Sequence, residues 1–352
     1  MSPQPTDVVQ RRRAFRELHQ SGCFVMPNPW DRGSARYLQG LGFKALGTTS
    51  AGAAWSRARA DGDLSLDDVL EHLRDIVEAT AIPVNADFES GFAQSAAGIA
   101  DNIHKAVDTG VAGISLEDAS GIASNPVRDI GSSVARLQVA RAVLDEYGPD
   151  APLLIGRAEN FVVGNPDLDD TMVRLRAYAD AGADVLYAPG VSTREEIAAL
   201  VDAVHPRPLN VLVGSGSALT FEEIASLGVR RISVGPALAR SAWGGFMRAA
   251  RSIAEDGRFD FGRPASGKEL NSFFKLSAET PPMVKANIVG RVEFRLGEGP
   301  LIEIRQGWVD ITFAPGDAVL AWSEGGWREE AAMPFANFCR YVSDGAIVLA
   351  QG

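Results

Sequence analysis

Residues 83–89 (PVNADFE), 113–118 (GISLED) and 153–160 (LLIGRAEN) share one pattern. Each is a short run of apolar or β-branched residues that ends in charged side chains. Such runs are typical of strands buried in a parallel sheet, and helical patterns separate them along the chain. The three stretches therefore predict repeated βα units with polar groups at the carboxyl ends of the strands.

The same alternation extends in both directions from these stretches. Five more strands are predicted at residues 23–28 (CFVMPN), 44–50 (KALGTTS), 184–189 (DVLYAP), 209–213 (LNVLV) and 231–235 (RISVG). Helical segments predicted between the strands include Leu66–Ala79, Ala96–Asp108, Val134–Tyr147, Asp169–Asp180, Arg194–Val204 and Phe221–Ser226. Eight βα units in one run favour an α/β fold of the closed (β/α)8 TIM-barrel type over an open doubly wound sheet.

The pattern changes after about Phe274. Residues 289–296 (VGRVEFRL), 301–313 (LIEIRQGWVDITF), 318–324 (AVLAWSE) and 345–350 (GAIVLA) alternate as short strands do, with Gly or Pro turns between them. The sequence predicts a barrel domain over residues 1–274 and a small antiparallel β domain over residues 281–352. A linker is expected near Ala278 to Lys285, and Gly257 to Phe274 is expected to carry the last barrel helix into it.

Charge and cysteine content exclude several classes of function. The net charge is -11, and the acidic residues are spread along the chain, so no footprint for nucleic acid or an anionic membrane exists. No stretch approaches the roughly 20 apolar residues of a membrane helix, and no apolar region of a secretory signal follows the basic run Arg11–Arg13. Cys23 and Cys339 form no CxxC motif, so we expect packing roles for both in a reducing, cytoplasmic compartment.

Acidic residues follow two adjacent predicted strands. Asp87 and Glu89 end the third strand and point to the same side of it, while Glu117 ends the fourth, about 4.8 Å away. Three converging carboxylates repel one another unless a cation or shared protons lie between them. Mg2+, with Mn2+ as an alternative, prefers such oxygen ligands and keeps several waters. The sequence predicts a magnesium site at the barrel mouth; the alternative is that these acids cap loops and helix starts.

Arg157 follows the fifth predicted strand, beside the proposed metal. A guanidinium pairs bidentately with a carboxylate or phosphonate, which a lysine does less well. Arg157 is therefore predicted to bind a small anionic substrate. An internal salt bridge to Glu159 or Glu117 is the alternative.

Other loops at the predicted mouth give weaker signals. Residues 47–52 (GTTSAG) are small enough for backbone N–H groups to approach an anion. Residues 214–217 (GSGS) are more typical of a plain turn than of a phosphate site. Asn210 is equally consistent with a substrate contact and with a buried amide. The four histidines fall outside the mouth, which disfavours histidine base catalysis and a zinc cluster.

Five motifs, in order, resemble those of the isocitrate lyase/phosphoenolpyruvate mutase superfamily over about residues 10–274. They are residues 48–63 (TTSAGAAWSRARADGD), 83–92 (PVNADFESGF), 113–120 (GISLEDAS), 156–161 (GRAENF) and 208–212 (PLNVL). The resemblance implies an Mg2+-binding barrel that stabilises the enolate of a 2-oxo acid while a C–C or C–P bond breaks or forms. It also implies a homodimer or homotetramer in which the last barrel helix is swapped between subunits.

The resemblance also implies roles for individual residues. Asp87 would bind the metal directly, and Glu89 and Glu117 would hold metal waters. Asp61 would be an outer-sphere acid near the metal, acting in catalysis with Glu117 and Arg157. The implied substrate-binding residues are Ser50, Ala51, Gly52, Arg157 and Asn210.

One departure from the family pattern limits the choice of reaction. Isocitrate and methylisocitrate lyases carry a KxCGH loop, but residues 117–125 (EDASGIASN) contain neither Cys nor Lys. Residues 187–189 (YAP) stand where the lyases tend to have a Glu. Isocitrate lyase activity itself is therefore not expected.

The leading prediction is an Mg2+-dependent lyase that cleaves a C–C bond, by retro-aldol cleavage or decarboxylation, in a small 2-oxo or 2-hydroxy carboxylate. One alternative is a C–P bond enzyme, similar to phosphonopyruvate hydrolase or phosphoenolpyruvate mutase, with Asn125 as the candidate gating amide. The other is a barrel that binds a metabolite without turnover and uses the β tail for protein contact.

Overall fold

The predicted βα units form one parallel sheet of eight strands, in the order β1-β8-β7-β6-β5-β4-β3-β2, nearly closed into a barrel. The computed structural model describes residues 5–279, 283–297, 299–314, 316–324 and 327–350. The barrel strands are β1 (Phe24–Met26), β2 (Leu46–Gly47), β3 (Val84–Asp87), β4 (Gly113–Glu117), β5 (Leu153–Arg157), β6 (Val185–Tyr187), β7 (Leu209–Leu212) and β8 (Arg231–Ser233). The (β/α)8 prediction is confirmed.

Helices precede and follow these strands. They are α1 (Pro5–Leu18), α2 (Arg32–Gly40), α3 (Ser50–Ser56), α4 (Leu66–Ala79), α5 (Ala96–Asp108), α6 (Ile130–Asp145), α7 (Leu168–Asp180), α8 (Arg194–Val204), α9 (Phe221–Ser226) and α10 (Ala237–Asp256). None of the helices among the described residues is both long enough and apolar enough to cross a membrane.

Local capping fixes where several of these helices begin. Ser65 accepts the N–H of Asp68 at 3.2 Å, and the Asp68 carboxylate accepts the N–H of Ser65 at 3.0 Å. Thr220 and Glu223 form the same reciprocal pair at the start of α9. A cap of this kind stabilises a helix by about 1 kcal/mol. The βα loops consequently end at residues that the sequence itself marks.

Helix α1 packs against buried residues of the barrel strands and against the end of α5 and the turn before β4. Phe15 is fully buried beside Met26 and Ile155, and Arg12 donates hydrogen bonds to the carbonyl oxygens of Val107 and Val111 at 3.0 Å each. This helix was not part of the predicted βα pattern, since it precedes the first strand. It supplies the apolar residue that fills the amino-terminal end of the barrel interior.

Strand stagger places one row of side chains at several depths in the barrel. Successive Cα partners in neighbouring strands are Glu117, Arg157, Tyr187, Asn210 and Arg231. Glu117, Arg157 and Tyr187 end their strands, whereas Arg231 begins β8. Because closed barrels require such stagger, the row runs from the mouth into the interior.

The described chain divides into two compact units, and the barrel belongs to the first, which comprises Met1–Ala35 and Lys44–Trp243. The second unit comprises Arg36–Phe43 and Gly244–Gly352. Proximity thus groups the segment after Trp243 with the β module, whereas the sequence predicted a barrel domain through residue 274. The division into a barrel domain over residues 1–274 and a small β domain over residues 281–352 stays a prediction.

The second unit contains the predicted antiparallel module. Its elements are α11 (Gly267–Glu279), β9 (Met283–Ile288), β10 (Val292–Arg295), β11 (Leu301–Ile304), β12 (Gly307–Ala314), β13 (Asp317–Glu324), β14 (Trp327–Pro334), α12 (Phe335–Ser343) and β15 (Ile347–Leu349). Five strands pair in the order β14-β13-β12-β9-β15, and β10 pairs with β11. Phe273, Ile311, Leu320 and Phe338 are buried in its core.

Helix and linker positions near the junction differ from expectation. The helix that directly follows β8 is α10, which ends at Asp256. A separate helix, α11, begins at Gly267 and continues past Phe274 to Glu279. Of the expected linker near Ala278 to Lys285, residues 280–282 lie outside the described residues, and Lys285 is in β9. The aromatic side chains of α11 are the reason, because Phe273 packs in the core of the second unit.

His19 carries a testable consequence for stability. Its Nδ1 lies 2.7 Å from the carbonyl oxygen of Phe15, and its Nε2 lies 3.4 Å from Arg231. Burial, reinforced by the charge of Arg231, lowers the pKa of His19 to about 3. An unfolded histidine has a pKa of about 6.5. Protonation therefore favours the unfolded chain, and the stabilisation is present above pH ~6.5 and is lost as the pH falls toward 3.

The free energy of unfolding is expected to fall between pH 7 and pH 5. We expect this fall to be about 1–2 kcal/mol smaller in His19→Gln than in the wild type. Glutamine keeps an acceptor for Arg231 and cannot gain a proton in this range. Urea unfolding at the two pH values measures the effect, and His104→Gln, at a side chain 38% exposed, is the matched control. Equal losses in wild type and His19→Gln would contradict the assignment.

Candidate active site at the barrel mouth

Arg157 is surrounded by carboxyl groups at the ends of β3, β4 and β5. Its Nη1 lies 3.0 Å from Asp87 Oδ1 and 3.3 Å from Glu117 Oε2. Its Nε and Nη2 both donate to the carboxylate of Glu159, the Nη2 bond to Oε2 measuring 3.1 Å. The salt bridges to Glu159 and Glu117 that the sequence left as an alternative are therefore present, with Asp87 as a third partner.

Asp118 holds the chain after β5 in place. Its Oδ1 accepts the N–H of Glu159 at 2.8 Å, and its Oδ2 accepts the hydroxyl of Tyr178 at 2.5 Å and Arg174 Nη1 at 3.2 Å. Asp118 is buried, so these bonds compensate a carboxylate that has lost its water. Asp118 thus supports the position of Glu159, and through Glu159 that of Arg157.

The loop after β2 brings Ser50 and Asp61 to the same place. The N–H of Ser50 donates to Asp87 Oδ2 at 3.1 Å, and the side chain of Ser50 hydrogen-bonds Asp61. The pKa of Asp61 is raised because neighbouring atoms displace water from its carboxyl group, although the residue as a whole is exposed, and because Asp87 adds negative charge. The structure therefore brings Asp61, Ser50, Asp87, Glu117 and Arg157 together, while their roles in binding and catalysis stay predictions.

Glu89 combines a strained backbone with an unsatisfied carboxyl oxygen. Its φ is 44°, in the left-handed region that non-glycine residues rarely adopt. Among the described residues its buried Oε1 has no hydrogen-bond partner. Burial, together with the charges of Asp87 and Asp61, raises the pKa of Glu89 to about 7.

The cluster carries more negative than positive charge. Burial raises the pKa of Glu117 well above its usual range, although Arg157 opposes this. For Arg157, burial alone would lower the pKa, but Glu159, Glu117 and Asp87 outweigh it and raise the pKa. One guanidinium cannot compensate all of these acids. The site needs bound protons or a second cation.

The donor set fits a cation held largely through water. Within the described ranges, no group of three or more His, Cys, Asp or Glu side chains is arranged so that it could hold a metal ion by itself. Asp87 instead contacts Arg157 and Ser50. Mg2+ commonly binds through one or two carboxylates and keeps several waters, and Glu89 Oε1 offers an oxygen without a protein partner. A direct metal contact for Asp87 and water-mediated contacts for Glu89 and Glu117 stay predictions.

Asn210 lies deeper than the mouth. Its Oδ1 accepts Arg231 Nε at 3.0 Å, and its Nδ2 donates to Ser233 Oγ at 3.0 Å. Strand stagger is the reason, since Tyr187 stands between Arg157 and Asn210 in the row. A direct substrate contact for Asn210 stays a prediction, and its buried-amide role is what the contacts show.

Ala51 and Gly52 lie in the first turn of α3, where both are buried. The N–H of Gly52 donates to Thr49 Oγ1 at 3.4 Å. A Cβ at position 52 would lie 2.8 Å from Trp30 Cβ, so glycine is required there for packing. Substrate binding by Ser50, Ala51 and Gly52 stays a prediction.

Tyr187 is a site residue for which the sequence predicted no role, although residues 187–189 stand out as a departure from the lyase pattern. The guanidinium carbon of Arg157 lies 5.2 Å from the centre of its ring, within the range of a cation–π contact. The ring is buried, and its hydroxyl hydrogen-bonds Ser233. Its position in the sixth predicted strand, beside the strand that ends in Arg157, is the sequence feature that could have identified it as a site residue.

The two remaining candidate loops are exposed. Residues 214–217 form an exposed turn after β7, as the plain-turn interpretation expected. Asn125 lies in a turn that its own N–H closes by donating to the Ile122 carbonyl at 3.0 Å.

Comparison with known proteins identifies relatives of the barrel. A model of the phosphoenolpyruvate phosphomutase family matches residues 15–254. An oxaloacetate decarboxylase from Bradyrhizobium sp. is 28% identical over 237 residues, which cover 64% of this chain and 77% of the relative.

Solved structures give the same result. A Burkholderia cenocepacia protein described only as a lyase or mutase is 44% identical, with a TM-score of 0.73 over 78% of this chain and 98% of its own. A 2,3-dimethylmalate lyase, described as a member of the PEP mutase/isocitrate lyase superfamily, is 26% identical, with a TM-score of 0.67. It covers 78% of this chain and 97% of its own.

Proposed function

Because the chain belongs to the phosphoenolpyruvate phosphomutase family, within the isocitrate lyase/PEP mutase superfamily, we propose that it is an Mg2+-dependent carbon–carbon lyase. The proposed substrate is a small 2-oxo or 2-hydroxy carboxylate that is cleaved through an enolate. The relatives support this reaction class: one is named for decarboxylation of a 2-oxo dicarboxylate and another for cleavage of a 2-hydroxy dicarboxylate.

The observation that carries the proposal is the excess of carboxylates around Arg157. Asp87, Glu117 and Glu159 all contact its guanidinium. An anionic substrate is repelled from such a mouth unless another cation is present. Small carboxylates and a divalent cation are therefore expected to bind together.

Asp87 is the proposed direct ligand, with Glu89, Glu117 and Asp61 binding cation waters. When bound, the cation supplies Lewis-acid stabilisation of the negative charge that develops on a substrate oxygen. Arg157, fixed by Glu159 and resting against Tyr187, binds the anionic group of the substrate. In C–C cleavage the electron pair of the broken bond stays on the carbon beside the carbonyl, so stabilising the enolate oxygen lowers the barrier.

We expect bond cleavage in a panel of 2-oxo and 2-hydroxy mono- and dicarboxylates with Mg2+, and none with EDTA. Asp87→Asn should lower kcat/KM by about 100-fold or more and remove the Mg2+ stimulation. Product formation by chromatography measures the first effect, and circular dichroism checks the fold.

Asp101→Asn, at an exposed acid on α5, is the matched control and should keep wild-type activity. Mg2+-stimulated turnover in Asp87→Asn would remove the metal assignment. Phosphate release from phosphonopyruvate without any C–C cleavage would favour the C–P alternative. Tight carboxylate binding without product would favour a metabolite-binding barrel.

For Arg157→Lys we expect KM for the carboxylate to rise about tenfold or more, because a lysine cannot bind Glu159 through two nitrogens and still present a fork to the substrate. Steady-state kinetics on the best panel substrate measure this. Unchanged KM and kcat would show that the arginine is structural.

We also propose that α10 and the segment after it pack against a second copy of the chain. Of α10, only Ala239 is buried, whereas Met247, Ile253, Phe259 and Phe261 are between 39% and 76% exposed. An apolar surface of this kind is typical of a protein interface. It agrees with the helix exchange that the family resemblance implies.

Met247→Glu with Phe259→Glu should convert a dimer or tetramer into monomers, because charges in an apolar interface lose their water. Light scattering coupled to size-exclusion chromatography measures the mass. A control double variant at exposed Val162 and Val173 should leave the mass unchanged. A wild-type chain that is monomeric would overturn the proposal.

A further inference from the structure

The outer face of the five-stranded sheet in the second unit contains a pocket with a volume of about 360 Å³. Its lining includes Lys285 on β9, Trp308 and Asp310 on β12, and Ser323 on β13. The alternate residues Ala286, Val309 and Ile311 are buried in the core, so this face is the one opposite the core. Volumes of about 300–1,000 Å³ are typical of small-molecule sites.

The charge of the pocket is opposite to that of the chain. Lys285, Arg305 and Arg328 line it, with Asp310 as the one carboxylate among its lining residues. The chain as a whole carries a net charge of -11. A local excess of positive charge in an acidic protein selects for an anionic ligand.

Two of the three cations, Arg305 and Arg328, have side-chain contacts within the second unit. Arg305 Nη2 donates to the Ser323 carbonyl at 2.7 Å, and this bond joins the residue after β11 to β13. Arg328 Nε lies 3.1 Å from Glu330 Oε1. Lys285 and Asp310 are Cα partners in adjacent strands. With Glu330 counted beside Asp310, three cationic side chains face two carboxylates, and their guanidinium and ammonium groups match the several acceptor oxygens of a phosphate better than a single carboxylate.

Trp308 supplies a flat apolar surface beside these charges. It is the second residue of β12 and is 63% exposed. An indole ring presented in this way can stack with planar heteroaromatic rings. An aromatic surface beside cations favours a ligand with both a ring and an anionic group.

We propose that this pocket binds a nucleoside phosphate, with the base stacked on Trp308 and the phosphate held by Lys285, Arg305 and Arg328. Asp310 accepts a hydrogen bond from a hydroxyl or amino group of the ligand. The site lies within the second unit and does not depend on the lyase reaction.

Isothermal titration calorimetry on the full chain tests this with AMP, adenosine and inorganic phosphate as probes. We expect AMP to bind with a Kd between about 10 μM and 1 mM, and each of the other two to bind at least about tenfold more weakly. No AMP binding in this range would overturn the proposal. Phosphate binding as tightly as AMP would also overturn it, because stacking would then contribute nothing.

Two variants locate the binding. Trp308→Ala and Lys285→Gln should each weaken AMP binding about tenfold or more, while Trp308→Phe should retain most of it. The matched controls are Trp327→Ala, at a tryptophan that is 77% exposed, and Arg291→Gln, at a side chain that is 70% exposed. Equal weakening in the controls, or AMP binding that survives both pocket variants, would show that AMP binds elsewhere.

Discussion

The guanidinium of Arg157 contacts Asp87, Glu117 and Glu159, with most of each side chain removed from water. Burying a charge costs several kcal/mol unless compensating charges and hydrogen bonds are present. Burial is the largest cause that raises the pKa of Glu117 and Glu159 above the usual range, and the charges of neighbouring acids add to it. Arg157 opposes this shift but compensates only part of the negative charge. The chemistry of the mouth follows from this imbalance, since an anion can bind there only if positive charge or protons are bound as well.

Below the mouth the barrel interior continues as a polar row. Tyr187 lies against Arg157, its hydroxyl bonds Ser233, and Ser233 accepts from Asn210, which in turn binds the buried Arg231. Burial lowers the pKa of Arg231 to about 9. Polar networks in a low-dielectric interior have few alternative arrangements. The row therefore fixes the surface on which Arg157 rests, and so links the amino ends of the barrel strands to the site at the carboxyl ends.

The sequence predicted those features of the fold that are determined by residues adjacent in the chain. Each barrel strand has its own apolar run, and Asp87, Glu117 and Arg157 stand at strand ends that alternation alone identifies. Features set by distant contacts were not predicted. Strand stagger places Asn210 deeper in the barrel interior than Arg157. The residues of β14 (WREEAAMP) favour a strand only weakly, and β14 forms because β13 pairs with it along its whole length. The grouping of Arg36–Phe43 with the second unit likewise rests on packing of Tyr37 and Leu41 in a core assembled from residues far along the chain.

Glu89 carries two costs at once. A left-handed backbone at a non-glycine residue costs about 1–3 kcal/mol, and a buried carboxyl oxygen without a partner costs about as much again. The backbone is held there partly because its carbonyl accepts the N–H of Glu117 at 3.0 Å, which ties the end of β4 to the loop after β3. That bond accounts for the position of the chain but not for the unsatisfied oxygen. The proposed hydrated cation beside Asp87 and Asp61 would stabilise Glu89, because it would bring positive charge and water donors to an acid whose Oε1 has no protein partner among the described residues.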